Sequence, residues 1–205
     1  MMTVRVHKGD LPANYTPAAI VAIDTETLGL VPSRDRLCVV QLSNGDGTAD
    51  VVQILRDSPP PENLIKMLVD PKVTKVFHYA RFDMAVLYRS FGVMPGPVYC
   101  TKIASRLVRT YTDRHGLKDL VRELIGVDMS KQQQSSDWGA DQLTDAQITY
   151  AASDVLHLHA LKSKLDVLLA REGRVPLAEA CFAFLTARAL LDLLGWPDED
   201  IFAHS

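Results

Sequence analysis

Ile23-Asp24-Thr25-Glu26-Thr27-Leu28-Gly29-Leu30 is the stretch whose reading decides the fold. Just before it, Ala19-Ile20-Val21-Ala22-Ile23 is a continuous apolar run, partly β-branched, which reads as a buried central strand. Two carboxylates one residue apart follow, and then a glycine turn. Alternation in a strand puts residues i and i+2 on the same face. Two acidic groups on one face of a buried strand repel each other. A divalent cation between them relieves that repulsion, and hard oxygen ligands suit Mg²⁺ or Mn²⁺. Taken alone, Asp-x-Glu equally fits a polar strand end entering a loop, so the other segments must decide.

Arg36-Leu37-Cys38-Val39-Val40-Gln41-Leu42 and Ala49-Asp50-Val51-Val52-Gln53-Ile54 read as two further strands. The turn-rich Ser43-Asn44-Gly45-Asp46-Gly47-Thr48 between them predicts an antiparallel hairpin. Pro61-Glu62 opens a helix with apolar residues at 64, 65, 68 and 69. Lys75-Val76-Phe77-His78 is a short strand, and a helix follows over about 80–91, ending at Gly92. Thr3-Val4-Arg5-Val6 is a candidate edge strand and Pro97-Val98-Tyr99-Cys100 a candidate short one. A three-strand meander followed by helix, strand and helix describes a mixed α/β sheet, expected to be five-stranded and flanked by helices, rather than a doubly wound parallel one.

The second half reads as helical. An amphipathic segment over 117–125 stops at Gly126. Thr144, followed by Asp145, caps one long helix expected from about 145 to 172. Pro176 opens a last helix whose Phe182, Phe184, Leu185, Leu190, Leu191 and Leu194 make it too apolar to face water all round. It either closes the core or meets another subunit.

The chain has 205 residues, 47% of them hydrophobic, which predicts one domain of ordinary size. No apolar run approaches the roughly 18 residues of a membrane span, and Met1-Met2-Thr3-Val4-Arg5-Val6-His7-Lys8 lacks the apolar core of a signal peptide. Cys38, Cys100 and Cys181 lack metal-type spacing and read as reduced thiols of a cytoplasmic protein. A net charge of −3 gives no global attraction to nucleic acid, so a polyanionic substrate must be captured locally. Low complexity is confined to Pro59-Pro60-Pro61 and Gln132-Gln133-Gln134.

Two more segments carry acidic residues in informative places. In Phe77-His78-Tyr79-Ala80-Arg81-Phe82-Asp83, Asp83 lies in the first turn after a strand, where an Asp at a helix N-terminus also has a plain electrostatic reason to be. Tyr150 and Asp154 are four apart and share one helix face, with Ile148, Ala151, Val155 and Leu158 around them. An unpaired Asp on that partly buried face is costly, although a Tyr–Asp hydrogen bond also satisfies it.

Together, Asp24-x-Glu26, Asp83 and Tyr150-xxx-Asp154 resemble the three motifs of the DEDD-type 3'-5' exonucleases, in their DEDDy branch. The likeness is closest to the ribonuclease D group. Phe77 to Asp83 resembles its second motif, and Gly116-Leu117-Lys118-Asp119-Leu120 and Ser136-Asp137-Trp138 fall where that group has similar segments. The resemblance covers roughly residues 19–165. Only about 40 residues follow the third motif, so one exonuclease domain over 1–205 without a C-terminal HRDC domain is expected. That points to the compact nanoRNase C type of bacterial oligoribonuclease.

The resemblance implies a ribonuclease H-like fold and a 3'-5' exoribonuclease that hydrolyses short RNA, dinucleotides above all, to nucleoside 5'-monophosphates. It implies two divalent cations, Mg²⁺ or Mn²⁺, held by Asp24, Glu26, Asp83 and Asp154, with Tyr150 orienting the attacking water. A phenol of pKa near 10 is a poor base at neutral pH, so Tyr150 is a positioner. Thr25 is expected at the 3' sugar, Leu30 as a wedge between bases or as a core leucine, and His78 against base or sugar or as a structural histidine. Arg106, Arg109, Arg114, His115 and Lys118 form a basic stretch that fits either a 5' phosphate or a solvated helix face. His157 and His159 lie on two helix faces and receive no role. A homo-octamer is implied by the same resemblance. Trimming of longer RNA ends, a general RNA or DNA exonuclease, and a non-catalytic nucleic-acid-binding module are the alternatives.

Overall fold

The computed structural model describes residues 3–129 and 136–204, so Met1-Met2 and the Gln132-Gln133-Gln134 run lie outside the described residues. The elements run β1 (Thr3–Lys8), β2 (Ile20–Thr27), β3 (Leu37–Ser43), β4 (Thr48–Gln53), α1 (Glu62–Val69), β5 (Thr74–Phe77), α2 (Ala80–Phe91), β6 (Val98–Cys100), α3 (Thr101–Val108), α4 (Leu117–Ile125), α5 (Asp145–Leu156), α6 (Leu158–Arg171) and α7 (Val175–Leu194). Among the described residues the strands form one mixed sheet in the order β1-β4-β3-β2-β5-β6. β2, β3 and β4 are the antiparallel meander, and β1, β5 and β6 join it in parallel.

The sheet has six strands rather than five, because both flanking segments pair. β1 lies along all of β4, and one buried carboxylate fastens it there. Asp50 accepts from Arg5 Nε and Nη2, both at 2.8 Å, and lies 2.7 Å from His7 Nε2. Burial alone pushes Asp50 up, yet Arg5 and His7 hold it below the usual carboxylate range. β6, three residues long, is too short to show alternation, but it pairs with β5 from Lys75 to Phe77.

Alternation along β2 divides the core between the two faces of the sheet. Val21 and Ile23 pack with Leu64, Met84 and Leu87 from α1 and α2, while Ala22 faces Leu120, Val155 and Leu161 from α4, α5 and α6. The β3–β4 hairpin turns through Gly45 at φ +80°. A Cβ there would stand 2.7 Å from the His159 ring, so the turn and the packing both require glycine. His159 itself reaches the Ile20 carbonyl at 3.1 Å, which makes it structural.

The expected single helix over 145–172 is two helices, meeting at His157. The two halves bury different surfaces: α5 lies across β2, β3 and β4, whereas α6 packs on α3 and α4. Thr144 caps α5 as expected, in a capping box with Gln147. α7 closes the core along Leu185 and Ala189 against α2, and Asp192 receives Arg81 Nε and Nη2 at 2.6 Å. Its Leu177 and Leu194 remain exposed.

Lys75, in the parallel half of the sheet, is fully buried. Its ammonium donates to the carbonyls of Asp70 (2.6 Å), Val73 (2.8 Å) and Gly96 (2.6 Å), so every proton has a partner. Burial lowers this amine to about 8. The three bonds tie the loops entering β5 and β6 to each other.

Candidate active site

β2 remains a strand through Thr27, so Asp24 and Glu26 are both strand residues and lie on one face. α5 crosses that face and supplies Asp154. Ligand oxygens of Asp24, Glu26 and Asp154 lie within 4.8 Å of one another. Thr25, between the two acids, points to the other face and donates its hydroxyl to Asp83 Oδ1 at 2.7 Å. Asp83, in the first turn of α2, is thereby drawn in from the opposite side and buried. It stays close enough for the Asp24 charge to raise it.

The electrostatics are those of negative charges crowded out of water. Burial pushes Asp24 up to about 7, against the Thr25 backbone N–H and the Gln41 amide, which hold it down. Burial first, and then repulsion from Asp24, Asp154 and Asp83, together push Glu26 up to about 10. Burial and Asp24 together raise Asp154 to about 8. Asp83 lies well above its usual value for the same two reasons. Tyr150, one turn before Asp154 and tilted 40° against Trp138 at 6.1 Å, is raised above its ordinary range by burial and the carboxylates, so it keeps its proton.

These groups open onto a cleft of about 710 Å³. Leu30 stands at the cleft 86% exposed, which rules out its reading as a core leucine. His78 also lines it. Its Nδ1 lies 2.9 Å from Thr101 Oγ1, and burial with help from Lys102 drops the ring to about 3, so it is neutral. The basic stretch is divided by the fold. Arg109 is fully buried and forks onto Glu123 while donating to Ser105 Oγ at 3.0 Å and the Arg114 carbonyl at 2.7 Å. It therefore holds the α3–α4 loop in place and cannot meet a phosphate. Lys118 does reach the cleft.

Three groups in or behind the site escaped the sequence reading. Gln41 Nε2 donates to Asp24 Oδ2 at 2.8 Å, and its one outward sign was a lone amide in an apolar strand. Lys102 lines the cleft with its ammonium 4.3 Å from the centroid of the Tyr79 ring. Tyr79 has φ +75°, the one non-glycine residue in the left-handed region among the described residues, a conformation propensity gives no hint of.

Residues 10–170 match the family described as 3'-5' exonuclease, an assignment the carboxylate geometry supports. The chain belongs to the 3'-5' exonuclease family. Ribonuclease D of Gluconacetobacter diazotrophicus is 37% identical to this exonuclease-family chain over 166 residues, covering 81% of the chain and 42% of that protein. The chain spans about two-fifths of the length of the curated relatives it matches. Solved structures of Brucella melitensis NrnC match over the whole of both chains. Brucella melitensis NrnC with bound Mg²⁺ is 59% identical with a TM-score of 0.94, and NrnC bound to pGG is 60% identical with a TM-score of 0.95. Escherichia coli RNase D shares the fold at 28% identity and a TM-score of 0.75, over 84% of this chain and 45% of that one. The donor set of this exonuclease-family site, oxygen only and from three converging carboxylates, fits a hard divalent cation.

Proposed function

We propose that this chain is a metal-dependent 3'-5' exoribonuclease of the cytoplasm that hydrolyses very short RNA, dinucleotides above all, to nucleoside 5'-monophosphates. The observation that carries the reading is the half-buried carboxylate cluster opening beside an exposed Leu30 in a cleft of about 710 Å³, a space suited to a few nucleotides. Full-length likeness to NrnC, solved with Mg²⁺ and with pGG, supports it.

Asp24, Glu26 and Asp154 would hold one divalent cation, Mg²⁺ or Mn²⁺. Asp24 and Asp83 would hold a second. Two such ions supply charge to the attacking and leaving oxygens of the phosphodiester and a lowered water pKa. Tyr150, its proton retained, orients the attacking water by its hydroxyl rather than acting as the base. Thr25 fixes Asp83 with its side chain and offers its backbone to the 3' sugar. Leu30 inserts between two bases. His78, neutral and anchored on Thr101, presents its ring edge to base or sugar. One exonuclease domain over 1–205 does this work, in a homo-octamer whose eight-chain mass light scattering should report.

The test is a time course on 5'-labelled RNAs from two to about ten nucleotides, with Mn²⁺ and with chelator. Dinucleotide should vanish fastest, and only with metal. A ladder stalling at two to four nucleotides would instead make the chain a trimming exonuclease. Binding without cleavage, unchanged in Asp24→Asn, would make it a non-catalytic module. Single-stranded DNA in the same assay ranks the two nucleic acids.

A further inference from the structure

β3 is buried from end to end, and one of its side chains is an amide that the reaction as described does not use. Gln41 is fully buried and stands directly opposite Asp24 in the β2–β3 register. Directly opposite residues of an antiparallel pair share a face, so the amide lies on the side of Asp24 and Glu26. It is absent from the residues that line the cleft and therefore stands behind the carboxylates, out of reach of substrate. Its Nε2 donates to Asp24 Oδ2 at 2.8 Å. A carboxylate only accepts, so this bond fixes which end of the amide faces Asp24. The same amide also holds Glu26 down, against burial and three neighbouring charges that push it up. Its carbonyl, Oε1, is buried with no partner among the described residues.

An amide in an apolar layer with its acceptor unmet is poor value for folding alone. Its geometry serves the site instead. We propose that Gln41 is the positioning residue of the carboxylate cluster: it grips Asp24 from behind, in the orientation that brings a ligand oxygen within 4.8 Å of those of Glu26 and Asp154, and so raises the affinity for divalent cations. This rests on the metal-site reading above. Hydrogen-bonding partners one layer behind metal ligands typically set affinity by roughly 10- to 100-fold.

Calorimetric Mn²⁺ titration of the wild-type chain, Gln41→Met and Gln41→Glu, together with Tm in chelator, tests it. Gln41→Met keeps the length and removes the donor. It should fold, bind Mn²⁺ about 10- to 100-fold more weakly, and regain most of its turnover when Mn²⁺ is raised. Gln41→Glu keeps the shape but adds a like charge, so its Tm in chelator should fall below wild type and Mn²⁺ should stabilise it by a larger increment. A folded Gln41→Met whose Mn²⁺ affinity stays within about twofold of wild type overturns the proposal. So does a Gln41→Glu chain with wild-type Tm in chelator, which decides the matter if Gln41→Met does not fold. A wild-type chain that takes up no Mn²⁺ removes the metal site itself, which separates failure of that reading from failure of the role given to Gln41.

Discussion

A phenol among carboxylates keeps its proton, and that limits what Tyr150 can do in the proposed reaction: it is no base, and its hydroxyl can only hold a water or a carboxylate in place. Tyr150→Phe should therefore lower kcat by about 10²-fold while KM moves little, the pattern of an interaction made in the transition state. Equal losses in kcat and binding would remove the positioning role. The carboxylates themselves make a pH prediction. Unfolded, they titrate near 4, whereas folded and without metal Asp24, Asp154 and Glu26 are raised to about 7, 8 and 10. Between those values the folded chain binds more protons than the unfolded one, so the stability these groups contribute is whole at acid pH and is lost as pH rises through 7 to 10. In chelator the Tm should fall from pH 6 to pH 9, and saturating Mn²⁺ should shrink that fall. Equal falls with and without metal would show that the carboxylates do not carry the effect. At this scale the acids were legible because each sits at an informative spacing on a readable element. Gln41 and Tyr79 were not, since a hydrogen bond across a sheet and a left-handed backbone depend on partners remote in sequence.

The hydrophobic rhythm that marks β2, β3 and the hairpin is strong because those strands are buried, and the same holds for α2 with its stop at Gly92. It fails where an element is secured by something other than rhythm. β1 is mostly exposed and owes its place to a parallel ladder and the Asp50 clamp, and β6 is three residues long, so the sheet reads one strand short. The break at His157 escapes because the helical pattern runs on through it, and only the change of packing surface demands it. Lys75 belongs to this class as well, a lysine in a short strand that proves wholly buried. Lys75→Met leaves three carbonyls without their donor and should cost on the order of 3 kcal/mol in urea unfolding, with the carboxylate cluster's Mn²⁺ affinity largely kept. A loss below about 0.5 kcal/mol would mean the loops rearrange and find other donors.

For the whole molecule the charge balance is the deciding quantity. A chain of net charge −3 that grips a polyanion must do so with a few local cations and its metal ions, and the cleft offers Lys102 and Lys118. Long single strands bound along a basic track release a counterion for each phosphate neutralised, giving a slope of about −0.7 per contact in log affinity against log salt. A dinucleotide with a 5' phosphate presents only two phosphates, so the slope for a non-hydrolysable analogue should lie between about −0.7 and −1.4. Lengthening that analogue should leave the slope unchanged, because the added phosphates extend past the cleft and meet no further cations. Fluorescence anisotropy across a range of KCl concentrations measures it. A slope that steepens with every added nucleotide would show a backbone-tracking surface, which suits an enzyme that trims long RNA ends and not one that clears the shortest fragments. In the proposed reading the exposed Leu30 would add the same preference in apolar form, because a wedge between two bases adds nothing for the third or fourth.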